Sequence, residues 1–217
     1  MTTVLLIRHG RTSANATGIL AGRTPGVLLD SVGRRQARTL GTRLREVTLD
    51  AVVHSPLERC VETAEGLLAN RPDVARHPDV RLSECDYRDW TGRSLAELAK
   101  EPLWPVIQDT PSSVTFPGGE SMLGMAQRAA TAVADWAAKY PEGVVAVVSH
   151  GDVIKAILSD ALGQPLDRFQ RIVVGPGSLS VVRYHRDRAM VLRMNDTGRS
   201  LPIQAGAGRP TVGGGTG

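Results

Sequence analysis

The fold is decided by two stretches, Val4-Leu5-Leu6-Ile7-Arg8-His9-Gly10 and Val144-Val145-Ala146-Val147-Val148-Ser149-His150-Gly151. Each is a short run of apolar, mostly branched residues that ends near a histidine followed by a glycine. Such runs are typical of strands that are buried on both faces of a parallel sheet. Ligands of open α/β sheets bind just past the carboxyl ends of the strands. We therefore expect His9 and His150 to face each other across one pocket.

The composition is that of an ordinary globular protein whose positive charge comes mostly from arginine. The 217 residues are 41% hydrophobic and 22% charged, which is enough chain for one α/β domain. The net charge is +4, although the chain has only three lysines. Aromatic residues make up 4% of the chain and the arginines are scattered, so we expect no nucleic-acid partner. A small anionic substrate fits the charge equally well.

The sequence predicts a cytoplasmic protein that does not bind a membrane. Cys60 and Cys85 have no metal-like spacing, which favours free thiols in a reducing compartment. The first predicted strand begins at the N-terminus and leaves no room for a targeting segment. No apolar stretch approaches the roughly 20 residues that a membrane span needs.

Alternating strand and helix patterns predict one α/β domain over residues 1–202, followed by a glycine-rich disordered tail over residues 203–217. One helix is expected with Ser31 as its N-cap, and others are expected after Ser55-Pro56, between Ser94 and Lys100, after Gly118–Ser121 and after Gly151. Strands are expected at the two stretches quoted above and at residues 50–54, 80–82, 172–174, 178–184 and 189–193. Residues 11–30 are predicted to be a loop, and the proline-rich residues 102–117 are predicted to be irregular.

The residues beside these strands have the chemistry of phosphoryl transfer. A phosphate ester needs planar, bidentate donors, which arginine supplies better than lysine. Arg8 precedes His9, and Arg59 lies in the first turn of a predicted helix, where backbone N–H groups also favour anions. A neutral His9 can attack phosphorus, and His150 can donate a hydrogen bond to the transferring oxygens.

A leaving alkoxide needs a proton, and Glu84 is the best candidate for the acid that gives it. Glu84 follows the predicted strand at residues 80–82, so it is expected at the exit of that strand. A surface position for Glu84 is the alternative. Glu58 and Glu120 are interpreted as charges at the starts of helices.

Five blocks of the sequence occur in the order of one known family: Arg8-His9-Gly10 with Thr12 and Asn15, then Ser55–Ala64, then Leu82-Ser83-Glu84 with Trp90-Thr91-Gly92, then Pro117–Ser121, and finally Val148–Gly151. Together they resemble the histidine phosphatase superfamily, the phosphoglycerate mutase-like proteins, and in particular an actinobacterial branch of phosphatases. The resemblance covers roughly residues 3 to 185.

The resemblance implies a three-layer α/β sandwich with a mostly parallel central sheet. It implies that His9 is the phosphorylated nucleophile, that Glu84 is the proton donor, and that Arg8, Arg59 and His150 form the phosphate pocket. No metal and no cofactor are implied, because these cationic and imidazole groups neutralise the charge that Mg²⁺ neutralises in other phosphoryl-transfer enzymes.

The resemblance also implies that Asn15 contacts the phosphoryl group from its loop and that the protein forms a homodimer. The chain departs from the family pattern at Arg11, where many members have glutamate, and at Ala21, where glutamine is frequent. Residues 93–117 offer no adjacent arginine pair, which the mutases of the family use to hold a substrate carboxylate.

These departures favour a phosphatase that hydrolyses a small phosphorylated metabolite. A cofactor-dependent phosphoglycerate-type mutase is the second hypothesis, and it would require a bisphosphorylated primer. A non-catalytic module that binds a phosphorylated ligand is the third, and it predicts binding without turnover.

Overall fold

The computed structural model describes residues 1–185 and 188–198. Its strands are β1 (Thr2–Arg8), β2 (Ala51–His54), β3 (Arg76–Pro78), β4 (Val144–Ser149), β5 (Leu179–His185) and β6 (Arg188–Asp196). They form one sheet in the order β3-β2-β4-β1-β5-β6. Strands β1 to β4 are parallel to one another, whereas β5 pairs antiparallel with both β1 and β6. The expected mostly parallel sheet is confirmed.

Helices cover both faces of the sheet. The described α-helices are α1 (Ser13–Thr17), α2 (Ser31–Arg43), α3 (Glu58–Leu67), α4 (Leu95–Leu98), α5 (Leu103–Asp109), α6 (Met122–Lys139) and α7 (Gly151–Ala161). One buried cluster joins α2 and α3 to the sheet, and a second cluster joins α6 and α7 to its other face. This arrangement is the three-layer sandwich expected from the sequence.

The apolar run of β1 shows why the sheet lies at the centre. Val4 and Leu6 pack in the cluster that contains α6 and α7, whereas Leu5 and Ile7 pack in the cluster that contains α2 and α3. Side chains alternate between the two faces of a strand, so a continuous apolar run is needed where both faces are covered. Burying each such side chain contributes about 1.5–3 kcal/mol of stability.

The N-cap residues define where the expected helices begin. The N-cap of α2 is Asp30, whose side chain accepts a hydrogen bond from Gly33 N, so Ser31 is the first helical residue and not the cap. Ser121 caps α6 and accepts from Gly124 N at 3.0 Å. Helix α3 begins at Glu58, two residues after Pro56.

Two predicted strands are wrong. Residues Val80–Leu82 form a 3₁₀ helix, because the Asp79 side chain accepts from Arg81 N and starts a turn. The edge strand there is β3, which lies just before that turn. Residues 172–174 have no strand pairing and follow the 3₁₀ helix Leu166–Arg171.

Two segments predicted to be irregular contain helices. The loop after β1 includes α1, which Thr12 and Asn15 close in a capping box. The proline-rich stretch includes α5, whose Pro105 lies in the first turn, where a missing N–H costs no intrahelical bond. The predicted tail at 203–217 and the last residues of the predicted domain lie outside the described residues.

Within residues 1–185 and 188–198, no helix is both long enough and apolar enough to cross a membrane.

The loop that carries His9 packs closely on the start of α2, and this contact depends on glycine. A Cβ atom on Gly33 would lie 2.1 Å from the carbonyl oxygen of Arg11. We expect Gly33→Ala to lower the free energy of unfolding by about 1–3 kcal/mol, because backbone has to move to admit the methyl group. Urea unfolding followed by circular dichroism measures this change.

Gly175→Ala is the matched control for that experiment. Its Cβ would meet no atom closer than 3.4 Å, so we expect a change within about 0.5 kcal/mol. Equal losses of stability in the two variants would contradict the packing explanation.

Candidate active site

The pairing of β1 with β4 brings the two predicted histidines together. Arg8 lies opposite Ser149 in the register, so His9 and His150 follow the two strand ends at the same edge of the sheet. The backbone N–H of His9 donates to the carbonyl oxygen of Ser149 at 2.9 Å. The imidazole centroids are 5.3 Å apart, with an angle of 61° between the rings.

The hydrogen bond of His9 fixes which ring nitrogen carries the proton. Nδ1 of His9 lies 2.8 Å from the carbonyl oxygen of Gly10. A carbonyl oxygen only accepts hydrogen bonds, so Nδ1 is protonated and Nε2 keeps its lone pair. Burial, assisted by the charges of Arg59 and Arg8, holds the pKa of His9 well below its usual range. His9 is therefore neutral near pH 7 and has a nucleophilic nitrogen.

Two buried guanidinium groups lie beside this imidazole. Arg8 donates from Nη1 to the carbonyl oxygen of Val174 at 2.6 Å. Arg59, in the first turn of α3, donates from Nη2 to the carbonyl oxygen of Gly22 at 2.7 Å. Nη1 of Arg59 is buried and finds no hydrogen-bond partner among the described residues. Backbone carbonyls thus hold both groups in place, and Arg59 keeps a donor for an anion.

His150 lies behind His9 and is tied to the wall of the site. Its Nδ1 is 3.2 Å from Nη2 of Arg59, which can only donate, so the proton is on Nε2. Nε2 lies 2.8 Å from Oγ of Ser55 and 3.5 Å from Sγ of Cys60. Burial and the charge of Arg59 hold the pKa of His150 well below its usual range. Its side chain is fully buried and does not belong to the pocket lining.

Glu84 belongs to the pocket lining and is almost fully buried, so the surface alternative is excluded. Its Oε1 accepts a hydrogen bond from the N–H of Cys85 at 2.9 Å. Burial, together with the charge of Asp152, raises the pKa of Glu84 to about 7. A large fraction of the carboxyl groups are therefore protonated at neutral pH, which is the state that a general acid needs.

The main chain of Glu84 is held by a network that sequence reasoning missed. Its carbonyl oxygen accepts from Nε of Arg23 at 2.8 Å and from Nη2 of Arg128 at 3.1 Å. Both arginines also bind Oε1 of Glu120, at 3.0 Å and 2.6 Å. The same oxygen accepts from the N–H of Asp86 at 3.0 Å. Glu120 is thus more than a charge at a helix start, because it joins three segments around the acid.

A second buried group that the sequence did not indicate lies near Glu84. Asp152, in the first turn of α7, accepts from the hydroxyl of Tyr87 at 2.8 Å. Nζ of Lys155 is 3.5 Å from the other carboxylate oxygen and also donates to Gln170 at 3.0 Å. The negative charge of Asp152 is one cause of the raised pKa of Glu84.

Asn15 lines the pocket, and its side chain also caps α1. Its Oδ1 accepts from N and Oγ1 of Thr12 at 3.1 Å and 3.0 Å. The oxygen is therefore engaged within the loop, and a contact to a ligand has to come from the amide Nδ2.

Both cysteines are free and buried. Burial raises the pKa of the Cys60 thiol to about 12, and the pKa of the Cys85 thiol is also raised. Both remain protonated at neutral pH, so neither has the thiolate character of a reactive cysteine.

These groups meet in one pocket that opens to solvent. Its lining consists of Arg8, His9, Thr12, Ala14, Asn15, Gly18, Ile19, Leu20, Ala21, Gly22, Arg59, Glu84, Tyr87 and Leu95. Five of the six predicted site residues thus line the pocket, and His150 supports it from behind. In the described part of the chain, no three histidine, cysteine or acidic side chains are grouped so as to hold a metal ion.

A family model described as the histidine phosphatase superfamily (branch 1) matches residues 4–197. A bifunctional protein of Mycobacterium tuberculosis is 35% identical over 206 residues, which are 91% of this chain and 54% of that protein. A probable phosphoglycerate mutase of Proteus mirabilis is 32% identical, over 85% of this chain and 86% of its own. The chain spans about half the length of the first curated relatives that it matches.

Among solved structures, a mycobacterial glucosyl-3-phosphoglycerate phosphatase in complex with VO3 superimposes with a TM-score of 0.81. It is 27% identical to this chain, and the match covers 89% of this chain and 98% of that one.

The raised pKa of Glu84 has a consequence for stability. The folded protein binds this proton more tightly than the unfolded chain, whose glutamate titrates near 4.5. The contribution of Glu84 to stability is therefore greatest below pH 4.5 and is lost as the pH rises to about 7. Relative to Glu84→Gln, the wild type should lose about 3 kcal/mol of unfolding free energy between pH 4.5 and pH 8. Urea unfolding at the two pH values measures the difference.

Glu46→Gln serves as the control for that experiment, because the Glu46 side chain is 83% exposed. Parallel pH curves for the wild type and Glu84→Gln would show that burial has not raised the pKa of Glu84.

Proposed function

The chain belongs to the histidine phosphatase superfamily, and from this membership we propose that it hydrolyses small phosphate monoesters through a phosphohistidine intermediate. The observation that carries the proposal is the state of His9. Its Nδ1 proton is engaged by Gly10, so the unprotonated Nε2 is the nucleophilic atom of a pocket that two buried arginines line.

In the first step, Nε2 of His9 forms a bond to phosphorus, and the bond from phosphorus to the ester oxygen breaks. The departing oxygen takes the proton of the Glu84 carboxyl group and leaves as an alcohol. The pKa of about 7 suits this role, because the acid is protonated before the step and can release its proton during it.

In the second step, water attacks the phosphohistidine. The Glu84 carboxylate accepts a proton from that water, the P–N bond breaks, and inorganic phosphate leaves. His9 returns to its neutral form and Glu84 returns to its acid form, so one cycle consumes one ester and one water.

The phosphoryl oxygens carry the charge that the site has to stabilise. We assign their binding to the guanidinium groups of Arg8 and Arg59, to the amide of Asn15 and to the Nε2 proton of His150. That proton now lies toward Ser55, so His150 has to exchange this partner for a phosphoryl oxygen. The two arginines provide the positive charge, and the proposed mechanism uses no metal ion and no cofactor.

A phosphoglycerate-type mutase is the alternative that a relative's name supports. The segment between residues 93 and 117 has no arginine pair to hold a substrate carboxylate, which favours hydrolysis. The proposal further places the protein in the cytoplasm and as a homodimer, on the basis of its free thiols and of its resemblance to the family.

The nucleophile is tested with His9→Ala, with His185→Ala as the control at an exposed histidine. We expect the wild type and His185→Ala to release phosphate from phenyl phosphate at equal rates in the presence of EDTA. His9→Ala should lower kcat by at least about a thousandfold, because it removes the attacking atom. With ³²P-labelled ester and an alkaline quench, label should remain on the wild type and be absent from His9→Ala.

Turnover by His9→Ala at the wild-type rate would disprove the phosphohistidine step. Binding of the ester without any release of phosphate would favour a non-catalytic binding module. Conversion of 3-phosphoglycerate to its 2-isomer only after addition of a bisphosphorylated primer would favour the mutase.

A further inference from the structure

The positive charge in the pocket is matched to one phosphoryl group. Among the described residues of the lining, the cationic side chains are Arg8 and Arg59. A phosphomonoester carries close to two negative charges near neutral pH. His9 and His150 are neutral, since burial lowers the pKa of each. Two guanidinium charges therefore balance the phosphoryl group and leave nothing for a second anionic group.

The arginines of the surrounding loops are engaged by acids of this chain. In each of four such pairs, a guanidinium nitrogen lies close to a carboxylate oxygen. The distances are 2.7 Å for Arg11–Asp30, 3.0 Å for Arg23–Glu120, 3.1 Å for Arg88–Asp86 and 2.5 Å for Arg93–Glu101. A carboxylate on the substrate would have to compete with these acids for a partner. Since Arg23 also donates to the carbonyl oxygen of Glu84, its release would disturb the general acid.

Part of the remaining pocket wall is apolar. The apolar side chains in the lining are Ala14, Ile19, Leu20, Ala21 and Leu95. The hydroxyl of Tyr87, which also lines the pocket, already donates to Asp152. A charged group brought against these apolar side chains would lose hydration without gaining a partner from them, which costs free energy.

We infer that this site selects phosphate esters of uncharged alcohols with an apolar portion, and that it disfavours esters whose alcohol carries a carboxylate. The inference rests on the proposed phosphatase function and adds to it the chemical class of the leaving group. It separates this chain from enzymes that act on phosphorylated acids, because discrimination arises from the charge that the wall lacks.

Two esters with the same carbon skeleton test the role of charge. Glycerol 3-phosphate has a CH2OH group at the position where 3-phosphoglycerate has a carboxylate. We expect kcat/KM to be at least about tenfold higher for glycerol 3-phosphate, a difference of about 1.4 kcal/mol in transition-state binding. Butyl phosphate tests the apolar portion and should be hydrolysed several-fold more efficiently than glycerol 3-phosphate.

A variant that adds a cation to the wall tests the cause. Ala14→Lys places an ammonium group on α1 at a lining position, and Ala16→Lys places one on the exposed side of the same short helix. We expect Ala14→Lys to reduce the preference for glycerol 3-phosphate over 3-phosphoglycerate at least about fivefold, since the new charge pairs with the carboxylate. Ala16→Lys should leave the ratio unchanged.

The outcomes separate this inference from the function on which it rests. Equal or better turnover of 3-phosphoglycerate by the wild type, abolished in His9→Ala, would overturn the inference and leave the phosphatase in place. An unchanged ratio in a folded Ala14→Lys would overturn it as well, and should that variant fail to fold, the wild-type comparison decides. If His9-dependent phosphate release were absent for all three esters and for phenyl phosphate, the proposed function itself would fail.

Discussion

The register of β1 against β4 is the constraint on which the rest of the site depends. With Arg8 opposite Ser149, the two strands end together, and His9 and His150 lie side by side at one edge of the sheet. A shift of one residue would turn every side chain of β1 to the other face and bury the wrong groups. The shifted strand would still have apolar side chains on both faces, but these side chains would no longer fit the packed layers that they meet. Ordinary hydrophobic packing therefore sets the geometry of the chemistry.

Once the strands are fixed, burial and charge set the protonation states. The guanidinium groups of Arg8 and Arg59 help to keep the imidazole of His9 neutral, and the same groups are placed to meet an anion. The Asp152 carboxylate raises the pKa of Glu84 and so helps to keep its proton bound. At one pH, the nucleophile His9 is thus neutral while the acid Glu84 keeps its proton. Neighbouring charges of opposite sign maintain that difference, as in other sites that need an acid and a base together.

The sequence contained much of the fold and most of the pocket, because buried strands and the residues that follow them leave local patterns. The prediction from sequence was wrong where a side chain decides the local structure. At Asp79, the side chain accepts a hydrogen bond from Arg81 N, and a turn forms in place of the predicted strand. It also missed the network of Arg23, Glu120 and Arg128, whose members are far apart in the chain. No periodicity or spacing encodes that contact, since it exists only after the sheet and α6 have assembled.

The attachment of Arg23 and Arg128 to the same main-chain carbonyl has a consequence for how this site can diverge. Hydrogen bonds around Glu120 connect three segments: the loop after β1, the segment that carries Glu84, and α6. Evolution can exchange wall residues such as Ala14 or Ile19 without moving the acid. Replacement of the loop at Arg23 would instead alter selectivity and acid position together. New substrate ranges are therefore more accessible through point changes in the wall than through loop exchange.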